Sequence, residues 1–172
     1  EAEDIFADQP FKLELIAEDL GDPDESTREF ITRSGLPGMK ILVYAFDPVG
    51  ESAYLPHNCP RDAVIYTGTH DTPTFVQWLF EQAAPAERDY AFDYLRLRED
   101  EGFGWGAVCG AWMSPCRLAI APMQDLLGLG GDARVNTPGT AGPRNWSWRV
   151  RQEALNPSVS GRLAHITRTY RR

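Results

Sequence analysis

Residues 63–71 read Ala63-Val64-Ile65-Tyr66-Thr67-Gly68-Thr69-His70-Asp71, and the predicted fold is built around this stretch. Its first four residues are mainly β-branched or aromatic, which is typical of a short buried strand. Gly68 frees the backbone where the strand ends, and His70 and Asp71 follow at once. Ligands of α/β proteins bind at the carboxyl ends of parallel strands. The pair is therefore a candidate for chemistry at the end of a central strand.

Three other stretches have the composition of strands, at residues 13–17, 39–45 and 118–122. Helical patterns separate or follow them, at about residues 22–34, 74–83, 86–97, 104–114 and 158–170. The segment 48–60 is rich in Pro and Gly and is predicted to be a loop. The order β-α-β-α-β-α-β predicts an α/β fold with a parallel sheet and right-handed crossovers. No linker or repeat divides residues 1–172, so we expect no second domain.

Composition and charge restrict the classes of partner. The net charge of −8 argues against nucleic acid and against anionic membranes, whereas neutral ligands such as sugars remain compatible. The apolar runs, around residues 41–46 and 118–123, are too short to span a bilayer. Cys59, Cys109 and Cys116 lack the spacing of a metal site and are predicted to be small core residues in a reducing compartment.

Each predicted strand leads within five residues into an acidic side chain. The acids are Glu18, Asp19, Asp47, Asp71 and Asp125, and His70 and Gln124 lie beside them. Acids in such loops also cap the helices that follow, and we interpret Asp19 and Asp47 in this way. For Glu18 and the His70–Asp71 pair we favour a functional role. Carboxylates at one edge of a sheet suit glycoside chemistry, in which one acid protonates the leaving oxygen and a carboxylate supports the cationic centre.

Seven segments occur in a characteristic order. They are LIAEDLG (15–21), GLPGMK (35–40), YLPHN (54–58), YTGTHD (66–71), APMQDLLGLG (121–130), RVNTPGT (134–140) and NWSWR (145–149). Together they resemble the amylomaltase (4-alpha-glucanotransferase) family. The resemblance implies a TIM-type (β/α)8 barrel of which this chain forms the C-terminal half, strands five to eight. It also implies retaining transfer of α-1,4-glucan segments between maltooligosaccharides, in the cytoplasmic metabolism of starch or glycogen, with no cofactor and no metal.

The resemblance also implies roles for individual residues. Glu18 stands where the family has its general acid/base, and Asp71 matches the carboxylate that stabilises the transition state. The residues implied to bind substrate are His70, Asp19, Asn136, Trp146, Trp148 and Tyr54, and the three aromatic rings among them would form walls for the sugar. Thr72 stands where the family usually has Asn.

The nucleophile of the family is an Asp in an earlier segment, and no counterpart of that segment occurs here. We therefore expect the chain alone to be inactive, and its partner to be the N-terminal half of the barrel or a second copy. The alternative is a non-catalytic carbohydrate-binding module, or an inactive fragment, using the same cleft. A nucleotide-binding domain is disfavoured, because GLGGDA at 128–133 does not follow a strand directly and Pro138 blocks a long helix after it.

Overall fold

A computed structural model describes residues 15–21 and 24–172 of the protein. Its helices and strands are α1 (Glu25–Ser34), β1 (Gly38–Ile41), β2 (Ala63–Tyr66), α2 (Phe75–Gln77), α3 (Pro85–Leu95), α4 (Phe103–Met113), β3 (Leu118–Ile120), α5 (Met123–Leu126) and α6 (Pro157–Thr169). One turn of π-helix, Trp78–Gln82, continues α2. Short 3-10 turns lie at Leu42–Tyr44, Pro56–Asn58, Gly131–Ala133 and Gln152–Ala154. No helix within the described ranges has the length and apolar character needed to cross a bilayer.

The described strands form one parallel sheet with β2 in the centre. Gly38 of β1 pairs with Ala63 of β2, and Val64 of β2 pairs with Leu118 of β3. Because the strands are parallel, their carboxyl ends share one edge of the sheet, which we call the carboxyl edge. The α/β class with a parallel sheet is confirmed. Loops after β2 and β3 therefore begin side by side.

The loop predicted at residues 48–60 is confirmed, and the helix that the order β-α-β-α-β-α-β places between β1 and β2 is absent. Residues 42–62 contain 3-10 turns and loop but no α-helix. Four helix-breaking residues explain this: Pro48, Gly50, Pro56 and Pro60. β1 and β3 are shorter than the strands predicted at residues 39–45 and 118–122, whereas β2 agrees with its prediction. β1 ends early because the chain turns into 3-10 helix directly after Ile41.

The first predicted strand, residues 13–17, is not part of the described sheet. Residues 13 and 14 lie outside the described ranges, and residues 15–17 have no strand pairing. One backbone hydrogen bond, from Ala17 N–H to the Pro37 carbonyl at 2.9 Å, holds this segment beside the start of β1. A ladder cannot continue because Pro37 has no N–H and because the Met39 N–H donates to the Asp19 carboxylate at 2.7 Å.

Asp24 caps α1, because its carboxylate accepts the Thr27 N–H at 2.8 Å. The sequence pattern favoured a cap at Asp22, which lies outside the described ranges. Gly35 ends the helix in the left-handed region, with φ of 63°, as the Ser34-Gly35 pair predicts.

Two groups of buried apolar residues form the core. One combines Met39, Ile41, Phe75, Leu79 and Leu95 from β1, α2, the π-turn and α3. The other combines Ala63, Ile65, Trp105, Val108, Trp112 and Ile166 from β2, α4 and α6. The stripe of Trp105, Val108 and Trp112 on α4 is buried as predicted. Ala63 and Ile65 of β2 are buried in the second group and Tyr66 packs against the first, so the core holds the end of β2 from which the next loop begins.

Candidate active site

Threonine side chains shape the loop after β2. The Thr69 N–H donates to the Thr72 hydroxyl at 2.8 Å, and that hydroxyl donates to the Thr69 carbonyl at 3.2 Å. The Asp71 N–H donates to the Thr69 hydroxyl at 3.2 Å. Thr72, the position that departs from the family pattern, is therefore a buried brace of the turn that carries Asp71.

The carboxylate of Asp71 is held on one oxygen only. Its Oδ1 accepts the side-chain amide of Asn136 at 2.6 Å and lies 3.4 Å from Nε2 of His70. Within the described residues nothing donates a hydrogen bond to Oδ2. The side chains of His70 and Asp71 are 51% and 46% exposed. A ligand therefore has access to a carboxylate oxygen whose neighbour is already fixed.

Arg134 ties the loop of Asp71 to the loop of Asn136. Its Nη2 donates to the Asp71 carbonyl at 2.7 Å and its Nε donates to the Asn136 carbonyl at 2.8 Å. The Asn136 N–H adds a third link, to the His70 carbonyl at 3.0 Å. The sequence reasoning assigned Arg134 no role, although it opens the segment 134–140 that carries Asn136.

Trp146 forms an aromatic wall next to His70. The ring centroids are 5.1 Å apart and the planes are inclined by 36°. The Trp146 N–H donates to the Val135 carbonyl at 2.7 Å, its φ is 61°, and the residue is 57% exposed. A left-handed conformation is uncommon for a bulky residue and turns this indole outward. We call His70, Asp71, Arg134, Asn136 and Trp146 the Asp71 cluster.

Three of the other candidate residues lie on the β1 side of the sheet. Glu18 is exposed, whereas the Asp19 carboxylate binds the Met39 N–H and sits so close to Gly38 that a Cβ there would overlap it. Burial, together with the negative charge of Asp19, raises the pKa of the Tyr54 hydroxyl, and the Lys40 ammonium lies 5.3 Å from the Tyr54 ring centroid. No hydrogen bond within the described ranges joins Asp19 or Tyr54 to the Asp71 cluster.

Trp148 lines a cavity of about 640 Å³ together with Gln77, Glu81, Gly131 and Arg144. No group of three or more His, Cys, Asp or Glu side chains in the described part of the chain is arranged to hold a metal ion.

Asp125 follows β3 but is buried, so it is not one of the carboxylates that a ligand at this edge can reach. Its side chain is 1% exposed and accepts the Thr67 hydroxyl at 2.5 Å and the Phe75 N–H at 2.8 Å. Burial raises the pKa of Asp125. The backbone of α4 approaches so closely at Gly104 that a Cβ there would overlap the Asp125 carbonyl. Asp125 thus joins β2 to α2 from inside the core.

The two other residues of this group also have local contacts. Asp47 is exposed and its carboxylate accepts the Val49 N–H at 2.8 Å within a loop, so the interpretation of Asp47 as the cap of a following helix is wrong: it stabilises a turn. Gln124 is buried and donates from Nε2 to the Ala133 carbonyl at 3.1 Å.

We expect Asp125→Ala to lower the free energy of unfolding by about 2–4 kcal/mol, because it leaves a buried N–H and a buried hydroxyl without partners. Asp125→Asn keeps an oxygen for the Phe75 N–H and offers an amide to Thr67, so its cost is expected to be less than half as large. Urea unfolding measures both. Asp132→Ala, at an exposed acid in the same region, is the control. A cost for Asp125→Ala equal to that of the control would contradict the core role.

The fold and the cluster define a class: a parallel α/β protein that presents an accessible carboxylate, an imidazole, an amide and an indole together beyond its central strand. The chain belongs to the 4-alpha-glucanotransferase family, whose model matches residues 2–155.

Individual relatives agree with this membership. A 4-alpha-glucanotransferase of Clostridium butyricum is 42% identical over 160 residues, which are 93% of this chain and 33% of the relative. One from Streptococcus pneumoniae is 42% identical over 161 residues, covering 94% of this chain and 32% of the relative. The structure of amylomaltase from Streptococcus agalactiae in complex with acarbose superposes with a TM-score of 0.89 at 33% identity, over 99% of this chain and 33% of that one. The chain thus spans about a third of the length of the curated relatives it matches.

Proposed function

We propose that this chain is the part of a retaining 4-alpha-glucanotransferase that supplies the general acid/base, Glu18, and the stabilising carboxylate, Asp71. The whole protein would transfer α-1,4-glucan segments between maltooligosaccharides. The observation that carries the proposal is the geometry of Asp71, one oxygen fixed by Asn136 and the other open, beside the exposed indole of Trp146. The family membership makes this chemistry the best match for that geometry.

Each part of the Asp71 cluster has a use in glycosyl transfer. The transition state has the character of an oxocarbenium ion, so a nearby carboxylate lowers its energy. The open oxygen of Asp71 would accept hydroxyls of the sugar, and His70 would donate to a further hydroxyl. The indole of Trp146 presents an apolar face on which a glucose ring stacks. Tyr54 and Trp148 would contact glucan units farther from the reacting bond.

The proton donor is proposed to come from the segment beside β1. Glu18 is exposed, while the contact of Asp19 with the Met39 N–H fixes the backbone next to it. A retaining enzyme needs a second carboxyl group about 5–5.5 Å from the acid, to attack the anomeric carbon. Asp71 is assigned to the sugar hydroxyls, and neither Asp47 nor the buried Asp125 resembles the nucleophile segment of the family. From this resemblance we assign the nucleophile to the remainder of the whole protein, outside these 172 residues.

We also propose that the sheet is strands five to eight of a (β/α)8 barrel, with residues 15–17 contributing the edge of the first of these. Two observations support this placement. The described strands are parallel and adjacent in chain order, and 99% of the chain superposes on a third of the Streptococcus agalactiae amylomaltase. The remainder of the barrel is then the partner of this chain, and it would cover the exposed edges of the sheet.

A disproportionation assay on maltotriose tests the proposal. The full-length protein is expected to give a ladder of longer glucans, and the 172-residue chain alone to give none. Adding the remainder of the protein as a separate chain should restore part of the activity if the two pieces dock. Robust turnover by the short chain alone would contradict the assignment of the nucleophile. A folded full-length protein that binds acarbose but turns over no maltotriose would favour the binding-module alternative.

Arg134 is expected to act as a positioning residue. In the full-length enzyme, Arg134→Lys should lower kcat/KM by about 10–100-fold, because one ammonium cannot hold the Asp71 and Asn136 carbonyls together in the fork geometry. Arg98→Lys, at an exposed arginine paired with Asp100, is the control and should change kcat/KM by less than about twofold. Equal effects of the two variants would show that Arg134 does not position the cluster.

A further inference from the structure

Residues 134–151 form a loop without helix or strand, and side chains hold it in shape. Asn145 bridges two parts of it. Its Oδ1 accepts the Thr137 N–H at 3.2 Å, and its Nδ2 donates to the carbonyl and the hydroxyl of Thr140 at 3.0 and 3.1 Å. Thr137 directly follows Asn136, so this side chain ties the later part of the loop to the part that belongs to the Asp71 cluster.

Arg149 holds the other side of the same loop. Its Nη1 donates to the Trp146 carbonyl at 2.9 Å and to the Trp148 carbonyl at 2.7 Å. The Trp146 N–H donates to the Val135 carbonyl at 2.7 Å. Both backbone polar groups of Trp146 are therefore bound, the N–H by the earlier part of the loop and the carbonyl by the later part.

These contacts fix a backbone conformation that a bulky residue rarely adopts. Trp146 has a φ of 61°, in the left-handed region, where its Cβ comes close to the following carbonyl oxygen. Such a conformation persists only where the surroundings determine it. It directs the indole towards His70, with ring centroids 5.1 Å apart, although Trp146 is 57% exposed. A change of φ to the common negative range would swing the Cα–Cβ bond and take the indole away from this position.

We propose that Arg149 and Asn145 are positioning residues, which keep the Trp146 indole in place as a preformed wall of the site. The inference rests on the proposed function, in which a glucose ring stacks on that indole. A wall that is already in position loses less conformational entropy when the sugar binds, so the affinity is higher. Without the Arg149 donor the indole occupies the competent position for only part of the time, and the apparent affinity falls by the same fraction. The effect therefore belongs to substrate binding and not to the chemical step.

The first experiment needs no ligand. In the full-length protein the ring protons of His70, assigned with His70→Gln, should be shifted by the ring current of the nearby indole, and Trp146→Ala should abolish that shift. Arg149→Met, which keeps the length of the side chain but has no donor, should move the His70 signals most of the way to their Trp146→Ala positions. Arg151→Met, at an exposed arginine two residues on, is the control and should not move them. Unmoved signals in Arg149→Met would overturn the proposal.

Binding of acarbose to the same full-length variants tests the consequence. Arg149→Met is expected to raise the Kd by about 5–20-fold, whereas Arg149→Lys, whose ammonium can donate to the same two carbonyls, should raise it by less than about threefold. On maltotriose, Arg149→Met should raise KM by a similar factor and change kcat by less than about threefold. In the Trp146→Ala background, Arg149→Met should alter the Kd by less than about twofold, since it acts through the indole. An undiminished effect in that background would overturn the proposal.

Asn145→Asp provides a second route if Arg149→Met fails to fold. It keeps an oxygen for the Thr137 N–H and loses the donors to Thr140, so the Kd for acarbose should rise by about 3–10-fold, and only when the indole is present. An unchanged Kd in Asn145→Asp would count against the positioning role. A full-length protein that binds no acarbose and turns over no maltotriose would contradict the proposed function, and the His70 signals would still decide what holds the indole.

Discussion

Glu18→Gln in the full-length enzyme is expected to reduce kcat on maltotriose by about 10²–10⁴-fold, the usual consequence of removing a general acid/base. The glucosyl leaving group is a poor one and needs a proton as the glycosidic bond breaks. A glutamine of the same size can bind the sugar but cannot supply that proton. The affinity of the enzyme for maltotriose should therefore change much less than its turnover.

An activated donor separates proton transfer from binding in the same variant. Fluoride leaves with little help from an acid, so Glu18→Gln should form the glycosyl-enzyme from α-maltotriosyl fluoride at a rate much nearer to that of the unchanged enzyme. Glu51→Gln, at an exposed glutamate in the loop after β1, is the matched control and should leave both rates within about twofold. Equal losses on maltotriose and on the fluoride would contradict the assignment of Glu18 as proton donor.

The sequence predicts an element well where the apolar residues that it buries lie close together in the chain with the spacing of a strand or a helix. The Val64–Tyr66 run and the Trp105, Val108, Trp112 stripe each bury a recognisable face, and the structure has β2 and α4 at those places. The segment at residues 15–17 has strand composition as well, but pairing depends on the neighbouring chain. Pro37 has no N–H, and the Met39 N–H donates to the Asp19 carboxylate instead of to a neighbouring strand. Composition alone therefore predicts one strand more than the described sheet contains.

The sequence pattern also does not distinguish an exposed acid from a buried one after a strand. Asp71 and Asp125 occupy equivalent positions in the pattern, yet one is half exposed and the other is in the core. The difference arises from Gly104, which lets α4 approach the Asp125 backbone, and from the Thr67 and Phe75 donors, which are 58 and 50 residues away in the chain. Such contacts exist only after the chain has folded.

The residues of the Asp71 cluster cannot be grouped from their spacing in the sequence, and only the family resemblance connects Asn136 with Asp71. Asn136 is 65 residues from Asp71, and no periodicity connects them. No sequence pattern indicates a role for Arg134, because its guanidinium binds backbone carbonyls, which every residue has. The contact of Trp146 with His70 likewise joins residues that are far apart in the chain.

Asp71→Asn is the second change for which we expect a large effect, a fall in kcat/KM of about 10²–10³-fold in the full-length enzyme. The asparagine keeps an oxygen for the Asn136 amide, so the loop after β2 should hold its shape. The variant loses the negative charge that would face the cationic sugar ring. Because that charge matters most when the ring is most positive, we expect the loss mainly in kcat, with the KM for maltotriose changed by less than about threefold.

Asp47→Asn is the control for this experiment, because it makes the same chemical change at an exposed acid in the neighbouring loop, where the carboxylate accepts the Val49 N–H. It should leave kcat/KM within about twofold. Thermal unfolding of both variants then shows whether either change disturbs the fold. If Asp71→Asn lost no more activity than Asp47→Asn, or lost it entirely through KM, then the Asp71 carboxylate would be a binding group and would not stabilise the transition state. Arg134→Lys should reproduce the kcat effect of Asp71→Asn in weaker form, because a carboxylate that is present but displaced stabilises the same charge from a greater distance.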